Sequence, residues 1–222
     1  MKKLEIACFN PGSAIIAQNG GADRVELCAD QSAGGITPAY ETVKQTRKDL
    51  TIEIVVMIRP RGGNFVYTDV EFEQMKTDIT ALKNTGINGF VFGILREDKT
   101  VNKKQNTELL ELAKPLHCTF HRAFDAVTDE QTALEDVIAC GFKTILTSGQ
   151  KNSAPEGINS LQEIIKQSNN RIVIMPGGGV RSSNIAELKN KLDTLYFHSS
   201  AITDQSGMAN IQEVKLLKEK LN

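Results

Sequence analysis

The 222-residue chain has no tryptophan, three tyrosines, three histidines and four cysteines. So little aromatic surface excludes a stacking cleft for long sugars or single-stranded bases, which need a series of exposed ring faces. Neither sign of charge is in surplus. With 26 basic residues against 27 acidic ones and no basic block, the electrostatic footprint required by a polyanion or an anionic lipid surface is missing. No apolar run approaches the ~20 residues that cross a bilayer. Met1-Lys2-Lys3 leads straight into a short apolar-rich strand instead of a signal-peptide core. These absences predict a cytoplasmic protein with no nucleic-acid or membrane partner. Cys8, Cys28, Cys118 and Cys140 lie far apart with no C-x-x-C pair, which argues for reduced thiols and leaves any metal role to tertiary proximity.

What is present is a regular alternation. Short β-rich runs begin near Leu4, Asp23, Ile52, Gly89, His117, Lys143, Ile172 and Thr194. Helical periodicity fills the intervals: Pro11–Asn19, Pro38–Lys48, Val70–Thr85, Gln105–Lys114, Asp129–Cys140, Gly157–Gln167 and Ser182–Lys191, with Ile211–Leu221 at the end. Gly21, Gly86 and Gly141 each separate a helix from the next strand, where a left-handed residue ends the helix. Eight strand-helix units joined by short right-handed crossovers predict a (β/α)₈ TIM barrel, one domain over residues 1–222 near the lower size limit of that fold. A doubly wound open sheet is the runner-up, weakened because Cys8-Phe9-Asn10-Pro11-Gly12 lacks the G-x-G-x-x-G turn.

In a barrel the helix side of each strand must be apolar, and alternation sends the other residues inward. Leu4 and Ile6 claim the outside of the first strand, Val25 and Leu27 of the second, Ile54, Val56 and Ile58 of the third, Cys118 and Phe120 of the fifth, and Leu195 and Phe197 of the eighth. The same rule turns Glu5, Glu26, Cys28, Arg59, His121 and His198 into one lumen. Ionised groups taken out of water are costly unless paired or ligand-bound. One reading is therefore a structural network in which Arg59 bridges the two glutamates and the histidines fill hydrogen-bonding roles. The other is a binding or catalytic site.

The catalytic reading assigns Arg59 to an anionic or carbonyl oxygen and Glu26 and His121 to proton exchange. Asp125 or Glu5 would orient or tune them, and His198 completes the set. His121 is expected to gain a carboxylate neighbour and with it a raised pKa. The strand-end runs Met175-Pro176-Gly177-Gly178-Gly179-Val180 and His198-Ser199-Ser200-Ala201 place Gly177, Gly178, Gly179, Ser199 and Ser200 where barrels often hold phosphate or another small anion. Acid/base chemistry of lyase or isomerase type on a small anionic or phosphorylated substrate would follow. A serine hydrolase is disfavoured, since no G-x-S-x-G elbow occurs.

The runs Glu26-Leu27-Cys28, Gly34-Gly35-Ile36-Thr37-Pro38, Met57-Ile58-Arg59-Pro60-Arg61-Gly62-Gly63, Thr119-Phe120-His121-Arg122-Ala123-Phe124-Asp125, Leu146-Thr147-Ser148-Gly149 and Met175-Pro176-Gly177-Gly178-Gly179-Val180 together resemble the CutC family from Leu4 to about Ala201. The resemblance implies a cytoplasmic barrel, often a homo-oligomer such as a dimer or tetramer, linked to copper homeostasis. It points to Cys8 and Cys28 as ligands for copper as Cu(I), a soft ion that prefers thiolates. Parity sends Cys8 outward and Cys28 inward, so sharing one ion requires a twist at the strand end. The family's longer loop after the eighth strand is shortened here.

Overall fold

Each strand is four to six residues long, and five of the eight helices are started by a side-chain cap. The computed structural model describes residues 1–222. The strands are β1 (Lys3–Cys8), β2 (Arg24–Leu27), β3 (Glu53–Met57), β4 (Gly89–Phe92), β5 (His117–Phe120), β6 (Thr144–Thr147), β7 (Val173–Pro176) and β8 (Tyr196–Ser199). The helices are α1 (Pro11–Asn19), α2 (Tyr40–Asp49), α3 (Asp69–Leu82), α4 (Lys103–Ala113), α5 (Glu130–Cys140), α6 (Ile158–Ser168), α7 (Ile185–Lys191) and α8 (Ile211–Leu221). At α1 the Asn10 side chain accepts from the Ser13 amide, with Pro11 supplying a preset φ at the first helical position. At α3, Thr68 and Glu71 cap each other reciprocally. Gly21, Gly86 and Gly141 all adopt positive φ, as the turn from helix to strand requires.

All ladders are parallel and run in the order β7-β6-β5-β4-β3-β2-β1-β8. The sheet curls until β7 and β8 meet, giving the expected barrel of eight strands and eight helices. No ladder joins β7 to β8. There the Thr194 hydroxyl donates to the Ile174 carbonyl. Every strand begins within two residues of its predicted start, and α1 and α8 match the predicted spans. The seventh helix starts at Ile185 instead of Ser182, because the Ser182 amide and hydroxyl both donate to the Glu213 carboxylate at 2.7 Å. A short 3₁₀ turn over Arg122–Ala126 follows β5 and was not expected.

The parity rule holds in the packing. Leu4, Ile6, Val25, Leu27, Ile54, Val56, Ile58, Cys118, Phe120 and Phe197 all join the apolar layer between sheet and helices. Leu195 points away from the lumen but is 42% exposed and contributes nothing to that layer. Cys28, Val55, Met57 and Val91 pack together inside the barrel, as do Leu146, Met175 and Tyr196. No helix is long and apolar enough to cross a membrane.

Candidate functional site

Register sets the lower layer of the lumen. Glu5 on β1 pairs with Arg24 on β2 and with His198 on β8, so three inward side chains sit at one level on adjacent strands, ~5 Å apart. Glu5 Oε2 accepts from Arg24 Nε at 2.5 Å, and Glu5 Oε1 lies 2.7 Å from His198 Nδ1. The Arg24 guanidinium also covers the Tyr196 ring at 4.1 Å. Burial alone would raise the Glu5 carboxyl, but the Arg24 charge and the His198 hydrogen bond overcome it and hold the group at about 2. Burial opposes protonation of His198, yet its bond to Glu5 and the charge of Glu26 push its pKa up. Arg24, not Arg59, is thus the guanidinium paired with a luminal glutamate.

One level higher, Glu26 pairs in register with Ala7 and Val55. The alanine leaves space above the Glu5 layer, and a cavity of about 220 Å³ opens there at the strand C-terminal end, where barrel sites form. Glu26, Arg59, His121 and His198 all line it. Burial raises the Glu26 pKa, with the Glu5 charge adding and His198 opposing. Glu26 Oε2 stands 3.9 Å from His198 Nε2 and 3.5 Å from Cys28 Sγ, while Glu26 Oε1 has no partner.

Arg59 does not bridge the glutamates. Its Nη1 donates to the Ala33 and Gly35 carbonyls and its Nη2 to the Gly63 carbonyl, which pins the loops after β2 and β3. The guanidinium lies 4.9 Å from the Phe65 ring centroid, and His121 packs on that ring at 4.8 Å. Arg59 Nε is buried without an acceptor. His121 has no carboxylate neighbour, contrary to the expectation of a raised pKa. Burial, reinforced by the Arg59 charge, pushes it down to about 3, so the imidazole is neutral at pH 7. His121 Nδ1 accepts from the Ala123 amide at 3.2 Å, which puts the proton on Nε2, and that buried atom is also unpartnered.

Asp125 lies outside the cavity lining. It accepts from the Thr147 hydroxyl and the Ser148 and Gln150 amides, and from Arg122 Nε at 2.7 Å. It therefore orients Arg122, not Glu26 or His121. Glu5 orients His198. Gly177 is a packing glycine, since a Cβ there would lie 2.4 Å from Leu146 Cδ1. Gly178 and Gly179, both at positive φ, line the cavity with Ser199 and Ser200. Two further lining arginines, Arg122 and Arg181, were not singled out from sequence. Arg122 opens the 3₁₀ turn and Arg181 sits in a loop, where strand parity says nothing. Arg24 did carry a signal, since it shares the parity of Glu26 two residues earlier.

The thiols follow parity. Cys8 Sγ donates to the Ile6 carbonyl at 3.4 Å within the helix-side layer, whereas Cys28 faces the lumen beside Glu26. Burial, with the Glu26 charge, raises both thiol pKa values well above the ordinary range. No three His, Cys, Asp or Glu side chains are grouped to hold a metal ion. Cys8 thus sits in the helix-side layer and Cys28 in the luminal cluster, as parity requires, although their backbones touch where the Cys28 amide donates to the Cys8 carbonyl at 2.8 Å.

The model of the CutC family matches residues 2–203. The chain belongs to the CutC family. It is 43% identical to the human copper homeostasis protein cutC homolog over 92% of this chain and 76% of the relative. It is 46% identical to the family protein CutC of Parabacteroides distasonis over 90% of this chain and 84% of the relative. The solved structure of a copper homeostasis protein CutC from Streptococcus agalactiae superposes with a TM-score of 0.86 at 32% identity, covering 90% of this CutC-family chain and 99% of that one.

Proposed function

We propose that this CutC-family protein serves copper homeostasis in the cytoplasm, as a homo-oligomer. The observation that carries this reading is the family match over residues 2–203 together with relatives named for that role. Cys28 is the thiol best placed to meet a Cu(I) ion, because it is the one on the lumen side, next to Glu26. Its raised pKa means that binding must displace a proton, so affinity should climb with pH. A Cu(I) competition titration under reducing conditions tests this. The expected result is stoichiometric, Cu(I)-selective binding that Cys28→Ser abolishes. Binding unchanged in both Cys8→Ser and Cys28→Ser would remove Cu(I) from the reading.

A further inference from the structure

Buried polar atoms in native proteins almost always have partners, and an exception calls for a ligand or a function. Four side-chain atoms in this chain are buried and unpartnered. Three of them, Glu26 Oε1, Arg59 Nε and His121 Nε2, belong to residues lining the cavity at the barrel mouth. Two are donors. Arg59 Nε always carries hydrogen but has the hydroxyl of Tyr67, the fourth unpartnered atom, beside its guanidinium; His121 Nε2 carries hydrogen because Nδ1 is engaged by the Ala123 amide, and it has no such neighbour. This side of the cavity is built to meet an acceptor oxygen.

The other side is cationic. Arg122 and Arg181 line it, each held by its own contacts: Arg122 by Asp125 and the Ser148 hydroxyl, Arg181 by the Ser199 hydroxyl and the Val180 and Ile202 carbonyls. Arg122 Nη1 donates to nothing in the chain and lies over Gly178, where a Cβ would come within 3.2 Å of it. The Gly178 and Gly179 amides likewise have no acceptor among the backbone bonds. The lining thus sets three arginines against one glutamate.

We propose that the mouth of this barrel binds a small phosphorylated hydroxy or oxo compound. Its phosphoryl group lies against Arg122, Arg181 and the Gly178 and Gly179 amides, and its uncharged oxygen meets His121 Nε2–H and Glu26. Several donors from two directions suit the oxygens of a phosphate monoester, and planar guanidinium groups match phosphate geometry. This site adjoins Cys28 through Glu26 but needs neither cysteine.

The test is calorimetric titration of the full chain, without added copper, using inorganic phosphate, glycerol 3-phosphate and glycerol. Glycerol 3-phosphate should bind at least tenfold more tightly than phosphate, and glycerol should give no heat. Arg122→Gln and Arg181→Gln should each weaken both anions at least tenfold, while His121→Phe should erase the preference for the ester and leave phosphate affinity in place. Nitrogen-15 NMR of the unaltered protein gives a second readout that does not depend on the variants folding: the His121 Nε2–H resonance should move on adding the ester. No binding of either anion, equal affinity for the two, a stationary Nε2–H resonance, or folded arginine variants that bind as before would each overturn the assignment.

Discussion

Two levels of one lumen, a single strand repeat apart, treat buried charge in opposite ways. At the Glu5 level a carboxylate, a guanidinium and an imidazole answer one another across adjacent strands, and register alone brings them together. At the Glu26 level the ionisable groups face open space, and Glu26, Arg59 and His121 each keep an atom without a partner. The lower level is a closed electrostatic unit that supports the barrel. The upper one is held in place by loops and rings but left incomplete, as a surface that must receive something from outside would be.

The largest expected effect comes from breaking the lower unit. Arg24→Leu strands the Glu5 carboxylate and should cost about 3–5 kcal/mol in urea denaturation, whereas the double variant Glu5→Leu/Arg24→Leu should recover most of that loss. A single variant as stable as the parent would mean that the two levels do not differ. Next in size is the titration of the two luminal histidines by NMR. His121 should stay neutral down to about 3. Its contribution to stability is complete above the ordinary histidine value of about 6.5 and is lost as pH falls from there toward 3. His198 should behave in the reverse sense: its raised pKa gives stability that is complete below about 6.5 and lost as pH rises through the folded value. Two histidines titrating alike would erase the contrast. The smallest effect belongs to Glu26→Gln, which removes a burial-raised acid with one oxygen unpartnered and the other only in long contacts, and should shift stability by less than about 1 kcal/mol. A loss comparable to that of Arg24→Leu would place Glu26 in the supporting unit instead.

The strand-by-strand logic was legible in the sequence because alternation is a local property. Val25 and Leu27 had to face the helices, so Glu26 and Cys28 had to face inward, and the same held for Glu5, Arg59, His121 and His198. Which inward residue meets which was not legible. Partners across a barrel depend on the stagger between strands, and that stagger gave Glu5 to Arg24 and His198 while Arg59 went to the carbonyls of two loops. The pKa direction of His121 was not legible either: burial depresses it, the Arg59 charge adds to that, and no carboxylate reaches it. Arg122 and Arg181 escaped because a 3₁₀ turn and a strand-to-helix loop have no periodicity from which a facing direction follows.

The junction of β7 and β8 carries a mechanical implication. Every other pair of staves is laced by amide-to-carbonyl bonds, but this one is fastened by side chains, Thr194 at the base and the Arg181–Ser199 contact at the top. The upper clasp lies beside Gly178, Gly179 and Ser200. A single substitution at Thr194, Arg181 or Ser199 therefore acts on the closure of the hoop itself, which side-chain changes at the backbone-laced seams leave alone.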